Sequence, residues 1–399
     1  MEEERRGFEP EPSNLASGPR GRHFLYHAAA AGDPSGELHR AMFDLTARIH
    51  PDDGSLVVFS LPAPNAGSTS RLSAAFRSLS DKLSRLRHSR RNDTRARPVP
   101  LWKEGVEPEG TLMTPAGIAN AIDGLSAMST EDLVAALAES VTSAMYWQEP
   151  DMTDVILEGR TIVDALARFA ERSGFANLDL EALSQGEERS VRWRHDDPDL
   201  DGEGDPIPAE QILDSWHRNK LAEVKEAART RPDDPTANWS GSWNSTPPYR
   251  LTNSNRLLPD GTPAALTYVE DGPISDRATT HTVDGDAATY LIDSDEDWVR
   301  LCDQYPMVVT AAVRHDWYRV TGRDGVWIIP DWHAVSKDWG AVRLTVHGYL
   351  TSATKAIPVR GGASMIAGWN PGETYWLTDV IERDGVDWVS TGESWKPIE

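Results

Sequence analysis

Nine of the fifteen tryptophans in this 399-residue chain fall between Trp298 and Trp395, in text cut into short β-like runs by Asp-Gly and Pro-Gly turns. An indole is large and apolar, and its N–H needs a partner once buried. Such a concentration therefore demands either a filled core or a walled hollow with a few convergent polar groups. We read it as the wall of a cleft in a mixed α+β carboxy-terminal domain. The densest part, RHDWYRVTGRDGVWIIPDWHAVSKDWG from Arg314 to Gly340, carries Trp317, Trp327, Trp332 and Trp339 beside two histidines.

The preceding text is different in kind. Residues 1–22 read as a disordered tail and residues 23–190 as a mainly helical domain with one strand candidate, Ser55 to Pro62. Residues 191–236 read as an acidic linker with a connecting helix, and 237–399 as the Trp-rich α+β domain. The overall class is thus α+β. Ser129 or Thr130 caps one helix, and Gly174 stands just past the end of another. Ser294 or Asp295 starts a helix that puts Trp298, Leu301 and Cys302 on one face, which makes Cys302 a buried spacer. Asp331 caps a helix through Trp332 to Trp339. The two RDGV stretches, Arg323 to Val326 and Arg383 to Val386, carry the Asp-Gly signature of tight hairpins.

The formal charge of −23 repels nucleic acid and anionic membrane surfaces on average, so small molecules or proteins are the expected partners. One segment runs against that balance. Residues 71–97 hold nine Lys or Arg against Asp81 and Asp93 on an amphipathic pattern; we read it first as docking on the chain's own acidic surface, and as its functional alternative a patch for an acidic partner or nucleic acid. The run Asp197, Asp199, Asp201, Gly202 opens like a calcium loop, but Pro208 stands where the closing glutamate belongs, and we read a solvated linker. A single cysteine excludes an internal disulfide framework and fits a cytoplasmic protein. No stretch approaches the roughly 20 apolar residues of a membrane-spanning helix.

Candidate chemistry gathers on the run AVRLTVHGYL. Read as a strand, it places Arg343, Thr345, His347 and, through Gly348, Tyr349 on one polar face, the floor of the proposed cleft. A second strand, ETYWLTDVIE, would bring Glu373, Tyr375 and Trp376 alongside if it pairs with the first, with Trp369 at the preceding turn. His347, Glu373 and Tyr375 are the candidate catalytic residues; Arg343, Thr345, Tyr349, Trp369, Trp376, His315 and Asp331 are candidate binding residues. Histidines beside carboxylates, as in His315-Asp316 and Asp331 with His333, also suit general acid and base work. Their spacing matches no metal motif, so no metal ligands are assigned. No nucleophile elbow, phosphate loop or dinucleotide glycine fingerprint is present.

The order His347-Gly348, Tyr375, then Glu382 or Glu393 is similar to the His-Tyr-Glu order of ADP-ribosyltransferases of the diphtheria-toxin and poly-ADP-ribose-polymerase class. That resemblance implies NAD as substrate, with the histidine on a ribose, the tyrosine on nicotinamide and the glutamate on ribose hydroxyls. No cofactor follows from the residues themselves. RHDWYRVTGRDGVWIIPDW, HGYL and GWNPGETYWL also look like a group of uncharacterised actinobacterial two-domain proteins, which implies no activity. The competing class is a non-catalytic interaction protein that uses the 71–97 helix and exposed tryptophans.

Overall fold

Local sequence sets most helix ends in the computed structural model of the chain, which describes residues 12–49, 114–125, 128–175, 178–194, 207–270, 272–392 and 394–398. The strand candidate 55–62, the basic segment 71–97 and the acidic run 196–205 lie outside the described residues. A 3-10 turn at Pro12–Ser17 leads into helix α1 (Pro19–Ala31), followed by α2 (Glu37–Ile49), α3 (Pro115–Asp123), α4 (Thr130–Thr142), α5 (Met152–Leu157) and α6 (Arg160–Arg172). Ser129 forms a reciprocal capping box with Asp132 at the start of α4, as its sequence predicts. Gly174 takes φ +74° just beyond α6, a conformation costly to any residue with a Cβ.

The expected tail is corrected here. Residues 12–22 belong to the folded body, because α1 buries Arg20, Gly21, His23, Phe24, Leu25 and Tyr26. A Cβ on Gly21 would stand 1.8 Å from the carbonyl oxygen of Leu15, so the approach of the 3-10 turn requires glycine. Gly18 is pressed in the same way against the backbone of Leu350 and Thr351 in the carboxy-terminal half. Apolar burial that charge-rich flanking text conceals, MEEERRG before and RGRH within, outweighs the look of a disordered end.

The carboxy-terminal half is built on β1 (Gln185–Arg194), β2 (Asn253–Leu257), β3 (Arg277–Asp284), β4 (Thr289–Ile292), β7 (Ala341–Leu344), β10 (Thr374–Trp376), β11 (Ile381–Ser390) and β12 (Trp395–Pro397). They form one eight-stranded sheet in the order β12-β11-β3-β1-β2-β10-β7-β4, with β4 and β7 parallel and the other pairings antiparallel. Helices α7 (Ala209–Thr230), α8 (Asp295–Gln304), α9 (Thr310–Thr321), α10 (Trp332–Val335) and α11 (Val346–Ser352) pack around it, with the small pairs β5 (Pro306–Val308) with β6 (Ile328–Pro330) and β8 (Ile357–Val359) with β9 (Gly362–Ser364). The fold is α+β. The boundary drawn at residue 190 falls inside β1, and Phe24 and Leu25 of α1 share one continuous hydrophobic core with Trp332 and Trp369. The two halves are therefore joined through their interiors.

Three further expectations change. AVRLTVHGYL is not one strand: β7 stops at Leu344, and Thr345 caps α11 by accepting the N–H of Gly348 at 2.9 Å. A Cβ on Gly348 would lie 2.3 Å from the carbonyl oxygen of Ile292, so glycine lets that turn press onto the end of β4. Neither RDGV is a tight hairpin. The second is a bulge within β11, where the register against β3 shifts between Arg383 and Val386 and Asp384 takes φ +51°. The first lies in the connection from α9 to β6. Asp331 caps α10 as expected, but that helix ends at Val335.

Candidate metal centre

Five tryptophans fill the core. Trp298, Trp332 and Trp369 meet with ring centroids 5.7–6.3 Å apart, and Tyr375 stands edge-on to Trp369 at 5.4 Å. Trp317 and Trp327 form a second edge-to-face pair at 5.0 Å. All five indoles are at most 1 % exposed. Four of the five N–H groups bond internally: Trp298 to Ser364 Oγ, Trp317 to the carbonyl of Trp243, Trp332 to that of Ser245 and Trp369 to that of Glu373. The expected Trp-lined cleft is thus replaced by interlocked rings, which gain both burial and favourable edge contacts.

The residues expected on its floor have structural partners. β10 does pair with β7, but the register sets Thr374 opposite Arg343 and Tyr375 opposite Val342, so Tyr375 and Arg343 face opposite sides of the sheet. Arg343 is buried and gives 3.0 Å and 2.8 Å ion pairs to Glu181 and Glu188. Glu181 also accepts the Val346 N–H at the start of α11, where a carboxylate suits the helix dipole. Thr345 bonds Asp293 at 2.5 Å as well as capping α11. His347 rides on α11 with Nδ1 2.8 Å from the carbonyl oxygen of Asp293. Burial, the largest influence, pulls its imidazolium down, but bonds to Asp293 outweigh it and the net shift is upward.

Glu373 and Tyr375 lie within the packed interior. Burial pushes the Glu373 carboxyl up to about 8, against a smaller opposing bond from the Asn370 N–H at 3.1 Å. Burial likewise drives the Tyr375 phenol upward, reinforced by Glu373. Tyr349 is fully buried. Trp376, also buried, donates to Ser254 Oγ at 2.9 Å. His315 is buried on α9, its imidazolium disfavoured first by burial and then by Arg314. Its neighbour Asp316 accepts from Ser240 Oγ, the Gly241 N–H and Arg319, tying the segment before β2 to α9. A depression of about 460 Å3 opens elsewhere, beside α8 and β8, lined by Asp295, Glu296, Val299, Arg300, Ile357 and Pro358. None of the expected site residues lines it.

One expected residue does enter a chemically open group. Asp331, at the start of α10, meets His217 of α7 and His333 of α10, and one ligand atom from each lies within 4.8 Å of the others. His217 Nδ1 is 3.0 Å from the Asp331 carboxylate, and the two imidazole rings have centroids 5.4 Å apart. The group is half-buried. In a tetrahedral zinc shell with ligands at about 2.0–2.1 Å, donor atoms stand about 3.4 Å apart. The His217–Asp331 spacing already approaches that figure, and side-chain rotation of His333 has less than about 1.5 Å to close.

The sequence hid this group. His217 lies 114 residues before Asp331 on a separate helix, and only Asp331-x-His333 is local. The signal that was available, an imidazole on the amphipathic helix DSWHRNK, does not show what it faces. Assigning no metal ligands rested on spacing, yet ligands drawn from separate helices follow no local motif, and sites that keep a position open use three protein ligands. The donor set of two imidazoles and one carboxylate suits a borderline first-row divalent ion. No protein family, no curated protein and no solved structure matches the chain.

Proposed function

We propose that the protein binds one divalent first-row transition-metal ion, zinc being the type ion, through His217, Asp331 and His333, and that water or a small-molecule ligand takes the remaining coordination. The observation that carries this is the convergence of three ligand atoms from α7 and α10 within 4.8 Å at a half-buried position. Two neutral imidazoles and one carboxylate leave a bound dication with net positive charge and an open position. That combination supplies Lewis-acid polarisation of a ligand oxygen or activation of a bound water. The chain's own residues orient the shell: Asp331 is fixed by capping α10, with its carboxylate accepting the His333 N–H at 3.2 Å. The Asp331 N–H is held in turn by the Tyr305 carbonyl at 2.7 Å. The ADP-ribosyl reading is not carried forward, because Tyr375 is enclosed in the core and Glu382 is engaged by Ser190 and Arg192 of β1.

Titration calorimetry of the purified, chelator-treated protein with zinc chloride tests the reading. One equivalent binds to the native chain. Outer-shell changes at metal sites already weaken affinity about 10–100-fold, so His217→Ala, Asp331→Asn and His333→Ala each weaken it by more than about 100-fold. No binding to the native chain, or equal affinity in all three variants, rejects it.

A further inference from the structure

Helix α7 is long, yet of its 22 residues only Ala209, Leu213, Lys220 and Ala227 are buried. Ile212, Trp216 and Val224 add partial packing against the core. So little apolar burial leaves its docking dependent on polar fastenings, and these are spread along its length. At the start, the Ala209 N–H bonds Asp379 Oδ1 at 2.8 Å. Just beyond the far end, Arg231 donates to the Ala312 carbonyl at 2.7 Å, in a space that Gly241 leaves open. Between them Glu210 pairs with Lys337 at 3.7 Å, His217 bonds Asp331, and Glu223 bonds Ser242.

From this placement, and resting on the metal reading above, we propose that α7 is a strap whose attachment to the body is set by metal occupancy. One ligand, His217, belongs to the strap; the other two, Asp331 and His333, belong to the body. An ion that needs all three binds only while α7 is seated, so by linkage it must favour the seated state. Without metal, the His217–Asp331 hydrogen bond is what ties α7 to α10, and its removal leaves α7 held by Asp379, Lys337 and Ser242 and, beyond its end, by Arg231 on Ala312. Release of α7 also separates His217 from Asp331 and His333, so opening of the strap releases a bound ion.

Hydrogen exchange of the full chain, read by mass spectrometry on peptides within 209–230 and on α1 as an internal reference, tests the strap. With zinc at 100 times its dissociation constant, the released population falls about 100-fold. Exchange in 209–230 slows by up to that factor while α1, buried against both halves, stays unchanged. His333→Ala leaves α7 itself intact but abolishes the zinc effect, whereas His217→Ala speeds exchange in 209–230 even without metal. If zinc binds with one equivalent yet 209–230 is unaffected, or α1 slows equally, the strap is overturned while the metal site stands. If calorimetry finds no zinc, the metal reading itself fails and the strap falls with it.

Discussion

Replacing Glu373 by glutamine isolates a single buried proton. Burial raises this carboxyl to about 8 from an ordinary value of 4.5, a gap of about 3.5 pH units. The folded chain therefore holds the proton more tightly than the unfolded chain does. Its stabilising contribution is complete below pH 4.5, shrinks as the unfolded carboxyl ionises, and is lost as pH rises through about 8. At about 1.4 kcal/mol per unit the whole loss is about 5 kcal/mol, of which about 4 kcal/mol falls between pH 5 and pH 9. Glutamine keeps an oxygen for the Asn370 N–H, which bonds Oε2 at 3.1 Å, and cannot ionise. Urea unfolding of both proteins at pH 5, 7 and 9 gives the difference directly, since other titrating groups are shared. The native chain should lose about 4 kcal/mol more than Glu373→Gln across that range. Parallel pH profiles would show that water reaches this carboxyl, and the filled Trp core around it would be wrong.

Trp369→Ala removes the ring that touches Trp298, Trp332 and Tyr375 and should cost about 3–5 kcal/mol in urea unfolding; a loss under about 1 kcal/mol would restore the cleft. Arg343→Met leaves Glu181 and Glu188 facing each other without their shared cation. Because both carboxylates are partly exposed, a loss of about 3 kcal/mol, the low end for a broken buried pair, is expected by the same assay. Gly348→Ala drives a Cβ to within 2.3 Å of the Ile292 oxygen and should cost about 1–3 kcal/mol, with a stable variant showing that α11 does not press on β4. Zinc at 100 times its dissociation constant should add about 2.7 kcal/mol to native-chain stability and nothing to His333→Ala.

Local patterns carried a good part of the architecture. Ser129, Ser294, Asp331 and Gly174 mark helix ends because caps and left-handed turns are satisfied within a few residues. Trp298, Leu301 and Cys302 are buried together as helical spacing requires, and burial pushes the Cys302 thiol up to about 12. What failed had long-range causes. Thr345 fits a strand alternation equally well as a cap, and only the approach of Ile292 across Gly348 turns the chain into a helix. Asp384 and Gly385 read as a hairpin, but the partner strand β3 runs past them and absorbs the extra residue as a bulge. No helix among the described residues is long and apolar enough to cross a membrane.

Residue order alone carries the class of fold, several helix ends such as those at Ser129, Gly174 and Ser294, and the presence of many indoles that had to be taken out of water, because propensity, capping and apolar burial act over short stretches or on composition. Whether those indoles enclose space or exclude it, and whether α1 is interior, depends on the folded arrangement. It alone brought His217 to Asp331 and His333. Packing and ligand convergence depend on which distant surfaces meet, and one-dimensional periodicity does not encode that meeting.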